Sequence, residues 1–168
     1  MSNLEEEDFR QSMRRLAATV CIISCERGGV RSGITLTSVT SLCFNPLSIL
    51  ACVNKASSVI EPLLDRGAYC INVLQKSQVD ISKRFSSRLP ASERFGIGDW
   101  GSGPSNIPYL CDAQANLFCE IDQSLAYATH QILIGRVIGV NFIKKVDPLI
   151  YQDGRYAGCE PLALSEAA

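Results

Sequence analysis

The chain is punctuated too often to be built from long helices. At least seven short apolar, β-branched runs follow one another, bounded by Gly, Pro, Asn or Asp. Runs of that length with those flanks suit buried strands. So many strands with few helices between them favour a mainly β, antiparallel barrel over a parallel βαβ sheet. Val20 to Ser24 and Val30 to Leu36 flank the Glu26-Arg27-Gly28-Gly29 turn and predict a hairpin. Val39 to Phe44 and Leu47 to Val53 make a second pair, joined at Asn45-Pro46, and Tyr69 to Leu74 is a further buried strand. Ala115 to Ile121 and Leu125 to Phe142 form the last strand system, with bends or bulges expected at Gly135 and Gly139. Leu149 to Tyr151 and Arg155-Tyr156 close it around the Asp153-Gly154 turn.

Helical signals are fewer. Residues 4 to 17 space Phe9, Met13 and Leu16 along one face between charges, predicting an amphipathic first helix. A helix near 58–66 opens either at Ser58, with Glu61 completing a capping box, or at Glu61 with Pro62 in the first turn. Gly67 is its expected left-handed stop. Ser77 with Asp80 predicts a helix start, running through Phe85. Residues 86 to 109 form one long irregular stretch, a length that points to function or mobility.

Charge and cysteine usage exclude several classes. A net charge of −1 offers no steering toward nucleic acid or an anionic membrane. No apolar run reaches the roughly 18 residues of a spanning helix, and residues 2 to 15 are polar with no signal segment, so the expectation is a cytoplasmic protein. The 168 residues suffice for a single domain. The eight cysteines include no Cys-x-x-Cys pair and His130 is the only histidine, so no metal site is expected. Cys52, Cys70 and Cys119 sit in apolar runs as small core residues. No Gly-x-Gly-x-x-Gly follows a strand, leaving a Rossmann unit unsupported.

One stretch is chemically unusual. Thr35, Thr37, Ser38, Thr40 and Ser41 crowd hydroxyls into a short ribbon around Val39. The following strand delivers the chain into a polar corner, Asn54 to Ser58. Helix N–H groups at that corner would make an anion seat, and the ribbon would offer donors to a flat polar ligand. An edge strand, a turn and a helix cap would read the same way.

This ribbon resembles the Gly-x-Thr-x-x-Ser-x-x-Ser and Asn-x-x-Ser-Ser elements of the flavin-reductase domain family. The likeness runs over about 9–157 in the family's order. It takes in Cys70-Ile-Asn-Val-Leu74, Ser82-Lys-Arg-Phe85, Glu93-Arg-Phe95, Trp100, Gly103-Pro104, Ala128-Thr-His130, Pro148-Leu-Ile-Tyr151 and Gly154-Arg-Tyr156. Within the family it looks like the reductase partner of two-component flavin-dependent monooxygenases of the 4-hydroxyphenylacetate type. Three departures stand out: Ala128 where Gly is usual, Ala157 where many members carry a His, and a varied Lys55-Ala56.

The resemblance implies an FMN-binding split barrel of Greek-key type with flanking helices, one domain over 1–168, forming a homodimer. It implies NAD(P)H-dependent reduction of FMN or FAD by hydride transfer, with NADH or NADPH as donor and a separate oxygenase receiving the reduced flavin. Thr35, Thr37, Ser38, Val39, Thr40, Ser41, Cys52, Asn54 and Lys55 would contact the flavin, and Ser57, Ser58 and Arg84 its phosphate. His130, the catalytic candidate, would contact the nicotinamide or the flavin edge, as a positioning group first and an acid–base group second. Phe85 would either flank the flavin or fill the core, and Trp100 either cover a ring or plug the barrel. Two further readings stay open: a flavoprotein that retains its flavin for electron transfer to a protein partner, and a non-catalytic flavin-binding module.

Overall fold

The computed structural model describes residues 5–162. Helix α1 (Glu6–Met13) leads into β1 (Ala18–Thr19), β2 (Cys21–Arg27), β3 (Val30–Leu36), β4 (Val39–Phe44) and β5 (Leu47–Asn54). Then come α2 (Ile60–Arg66), β6 (Ala68–Val73), α3 (Val79–Ser86), α4 (Ala91–Arg94), β7 (Trp100–Ser102) and β8 (Pro108–Leu110). The chain ends in β9 (Ala115–Tyr127), β10 (His130–Phe142), β11 (Ile150–Gln152) and β12 (Arg155–Ala157). Seven strands form one antiparallel sheet in the order β3-β2-β6-β9-β10-β5-β4.

Twist curls this sheet, and strand alternation sends one face of it into a single interior. Cys21, Ile23 and Cys25 of β2, Ile49 and Val53 of β5, Tyr69 and Ile71 of β6, Cys119 of β9 and Leu133 of β10 share a single buried cluster. Ile34 and Leu36 of β3 and Val39 of β4 pack against the same cluster, so both ends of the strand order face the one core. Helix α2 stops the barrel with Val59 and Leu63, and Arg27 of β2 ties it down through Glu61 (3.0 Å) and Asp65. This is the expected split barrel, open between β3 and β4.

The opposite faces of β2 and β6 are buried too. Val20, Ile22 and Leu74 lie beneath Phe85 of α3, Leu110 and Ala113. Two buried amides clasp this layer to the sheet. Asn72 Nδ2 donates to Ile22 O (3.0 Å) and Ser24 Oγ (2.9 Å), while its Oδ1 accepts from Leu110 N (2.8 Å) and Asn116 Nδ2 (3.0 Å). Asn116 also donates to Leu110 O at 3.1 Å, and Ser24 Oγ to Pro108 O at 2.6 Å.

Several local expectations are corrected. The first helix shortens to Glu6–Met13 and buries no residue; position 4 lies outside the described residues. Helix α2 starts at Ile60 with Val59 as N-cap, so neither Ser58 nor Glu61 caps it; Gly67 does close it, at φ 67°. Helix α3 is not opened by Ser77. A 3-10 turn, Lys76–Gln78, precedes it, closed by a capping box. The side-chain oxygens of Gln75 and Gln78 each accept from the other's backbone N–H, while both amide nitrogens donate to Asp112 O. The long loop contains α4 and the β7–β8 hairpin. Strand β9 is unbroken where a gap was expected. Gln123 opposes Ile134 but Ile121 opposes Gly135, so Asp122 is a bulge inside one long strand.

Asn72→Ala should leave Leu110 N, Asn116 Nδ2 and the Ile22 carbonyl buried without their partner. Urea unfolding should show a loss of about 2–4 kcal/mol, larger than an exposed substitution gives.

Candidate functional site

The hydroxyl ribbon lies across the split. Strands β3 and β4 are the two ends of the sheet order, so each has one backbone edge with no strand beside it. Thr37 and Ser38, between them, belong to neither ladder. The N–H groups along these edges must therefore find water or a ligand. Side chains fix the ribbon from behind. Thr35 Oγ1 donates to Ser82 O of α3 (2.7 Å), and Ser38 Oγ donates to Cys52 O (2.7 Å) while Ser38 O accepts from Cys52 N (3.0 Å). Arg94, buried from α4, donates to the carbonyl of Gly33 at 2.8 Å, just upstream.

Register gathers most of the expected residues on one outer face. Ala51 and Val53 point inward, so Cys52 and Asn54 of β5 point out. His130 lies between Asn54 and Tyr127, Ile132 between Cys52 and Leu125, and Ile134 between Leu50 and Gln123. Thr40, opposite Leu50, joins the same face; Ser41 pairs with inward-facing Ile49 and so does not, and the bulge follows it at Leu42. Thr129 Oγ1 lies 2.9 Å from His130 Nδ1, leaving Nε2 free to face outward. Sequence reasoning quoted Thr129 without giving it this role, although a hydroxyl adjoining the only imidazole was signal enough.

The polar corner is built differently from the expectation. Asn54 Oδ1 accepts from Ala56 N (2.9 Å), Asn54 O from Ser57 N (3.0 Å), and Lys55 N donates to Thr129 O (2.9 Å). Ser57 then accepts from Val59 N with its hydroxyl and from Ile60 N with its carbonyl. Most backbone donors of the corner are thus satisfied internally. The groups left for an anion are the exposed Lys55 ammonium, the Asn54 amide nitrogen, the Ser58 N–H and the two serine hydroxyls.

Three other expected ligands are placed elsewhere. Val39 sends its side chain into the barrel, leaving only its backbone to the split. Phe85 is wholly buried, with ring centroids 4.9 Å from Phe95 and 5.1 Å from Trp100. It is core, and Trp100 plugs the same layer with its indole donating to Ile97 O. Arg84 donates to Glu93 O at 3.0 Å. It rides on α3, which covers Val20 and Ile22, whereas Ser57 and Ser58 precede α2, which caps the opposite face of β2. The structure does not bring Arg84 to that corner.

Two grooves flank the ribbon. One, of about 250 Å³, is lined by Thr35, Thr37, Ser82, Ser86, Tyr151 and Tyr156, with the Tyr156 hydroxyl 3.0 Å from Ser82 Oγ. The second, of about 380 Å³, shares Thr37 and Tyr151 and runs on to α1. Neither tyrosine was marked by sequence reasoning, since Tyr151 and Tyr156 read there as hairpin residues.

An exposed, hydroxyl-bordered split with unpaired backbone edges suits a flat heteroaromatic ligand with many acceptors. A split barrel with such an edge is the fold of a flavin-reductase class. The flavin reductase like domain matches residues 13–160, and the chain belongs to that family. The reductase component of the FADH(2)-dependent resorcinol hydroxylase of Rhizobium sp. (strain MTP-10005) is 35% identical over 161 residues, covering 95% of this chain and 90% of that protein. The FMN reductase (NADH) RutF of Pseudomonas syringae pv. syringae (strain B728a) is 35% identical over 148 residues, covering 88% and 83%. The crystal structure of a flavin reductase domain protein from Arthrobacter sp. FB24 superposes with a TM-score of 0.88 at 26% identity, covering 97% of this chain and all of that one.

The thiols are sorted by the fold. Cys21, Cys25, Cys70 and Cys119 are buried, and burial pushes Cys21, Cys25 and Cys119 up to about 12. At pH 8, Ellman's reagent should leave these four unreacted in the folded protein and titrate all eight only in denaturant, checked by mass spectrometry.

Proposed function

We propose that this chain is an NADH-dependent flavin reductase that supplies reduced FMN or FAD to a separate oxygenase. The observation that carries it is the hydroxyl ribbon laid across two unpaired strand edges, in a chain of this family. The enzyme class rests on relatives whose names specify FMN reduction by NADH and the reductase role in an FADH(2)-dependent hydroxylase. When bound, the flavin supplies the hydride chemistry, accepting at N5 what the dihydronicotinamide gives up at C4.

The protein's own part is to hold the two rings in contact and to exclude water between them. The backbone N–H groups between Thr37 and Ser41 that β5 leaves unpaired would meet the pyrimidine edge, where negative charge grows on reduction. Thr35 and Ser38, fixed by Ser82 and Cys52, keep those donors in place before the ligand arrives. Asn54, Lys55, Ser57 and Ser58 receive the phosphate end. His130, with its Nδ1 side held by Thr129, orients the nicotinamide.

The chain is read as one reductase domain in a cytoplasmic setting; among the described residues no helix is long and apolar enough to cross a membrane. It acts as a homodimer. Leu125 and Tyr127 are 62% and 72% exposed, and with Ile132 and Ile134 they form an apolar patch beside His130 and Asn54. A second copy over that patch would complete the wall of the site.

Purified protein should oxidise NADH, followed by absorbance, when FMN, FAD or riboflavin is added; no turnover with any of them would reject the enzyme. Ser57→Ala with Ser58→Ala should raise KM for FMN about tenfold and leave riboflavin nearly unchanged. His130→Ala should raise KM for NADH more than for flavin. Sedimentation at micromolar concentration should show a dimer for the native chain and a monomer for Leu125→Glu, since a buried unpaired carboxylate opposes association; a monomeric native chain would rule the dimer out.

A further inference from the structure

The second groove is not accounted for by an isoalloxazine, a ribityl phosphate or a nicotinamide ring. It begins at the middle of the ribbon, at Thr37 and Ser38 between β3 and β4, and runs between α1 and the β11–β12 hairpin. Its two walls are held together. Asp153 N donates to Arg14 O at 3.1 Å, and Ala18 pairs with Tyr151. The groove therefore exists before any ligand enters.

Its lining is a mixture that fits one chemistry. Met13 and Leu16 are 46% and 60% exposed there, apolar surface left bare beside an aromatic ring. Tyr151 packs against Tyr156 at 72° with centroids 5.5 Å apart and stays 40% exposed, so part of its ring is open to the groove. Two guanidiniums sit one helical turn apart at the far end. Arg10 is already engaged by Glu6 and Glu7, both at 2.9 Å. Arg14 makes no ion pair among the described residues, and the one carboxylate of the lining, Asp153, lies 4.0 Å from Arg15 instead.

We infer that this groove seats the adenosine diphosphate half of a dinucleotide, with Arg14 on the diphosphate and Tyr151, Met13 and Leu16 around the adenine. The inference rests on the reductase reading for the identity of the dinucleotide. Both NADH and FAD carry this half, and both reach the ribbon with their redox-active ring. An unpaired guanidinium with a free fork suits a diphosphate, and bare apolar surface suits a purine. The shared Thr37 makes the groove continuous with the ribbon, so one molecule can occupy both.

Calorimetry with ADP-ribose tests the seat without turnover. The native protein should bind it, Arg14→Ala should weaken binding about tenfold, and Arg14→Lys should recover part of the loss. Kinetics then identify the source. NADH with riboflavin places the adenosine diphosphate on the donor only, and nicotinamide mononucleotide (reduced) with FAD places it on the acceptor only. In Arg14→Ala the KM of one of these dinucleotides should rise about tenfold, more than any change for reduced nicotinamide mononucleotide with riboflavin. Equal losses in all three pairings, or ADP-ribose binding unchanged by Arg14→Ala, would overturn the assignment. A native protein that binds ADP-ribose yet oxidises no NADH would instead overturn the reductase reading and leave the groove standing.

Discussion

Strands β3 and β4 are consecutive in the chain, yet they end the strand order on opposite sides. Only Thr37 and Ser38 separate them, so Leu36 and Val39 cannot be more than about 11 Å apart. Both side chains pack into the same core. The barrel is therefore almost closed at this corner, and its two edges diverge from there without pairing. Unpaired edges invite association with other strands. Here the edge carries Thr and Ser, whose hydroxyls turn back onto Ser82 and Cys52 and hold the edge in one shape. A binding face with rigid backbone donors is the consequence of leaving the sheet unfinished.

Rigidity at the ribbon is supplied from the outer layer. The amides of Asn72 and Asn116 bind the β8 end to the sheet, and Phe85, Phe95 and Trp100 pack into one aromatic knot. That knot fixes α3 and α4, which carry the Ser82 carbonyl to Thr35 and the Arg94 guanidinium to Gly33. Residues of the long loop thus brace the ribbon through α3 and α4. The loop's length is explained by this clasp, and Trp100 needs no ring to cover.

Much of this architecture was legible from residue order. The hairpin of β2 and β3, the pair β4 and β5, the Gly67 stop and the bulges near Gly135 and Gly139 all follow from local rules of periodicity and turn chemistry. The misreadings share one cause, that tertiary partners decided between local options. Ser57 rather than Ser58 receives the first amides of α2 because Asn54 has already folded the corner into nested turns. The gap expected after Ile121 is a bulge because β10 pairs along the whole of β9. Phe85 and Arg84 are neighbours in sequence to residues of the site, but α3 packs on the far face of β2 from α2, which no periodicity could reveal.

That separation bears on how tightly a flavin is held. With Arg84 engaged by Glu93, the corner offers a single exposed ammonium, Lys55, and a few neutral donors. An exposed charge is screened by water and salt, so its attraction for a phosphate is modest. Tight retention would call for buried guanidiniums making paired hydrogen bonds. The buried guanidinium nearest the ribbon, Arg94, is occupied by the carbonyls of Gly33 and Ser87. In the proposed site, recognition would then fall on the ring and its polar edge through backbone donors of the ribbon, with the phosphate end loosely tethered. A reductase that must surrender its product to another enzyme needs a site of this kind, specific in shape and sparing in charge.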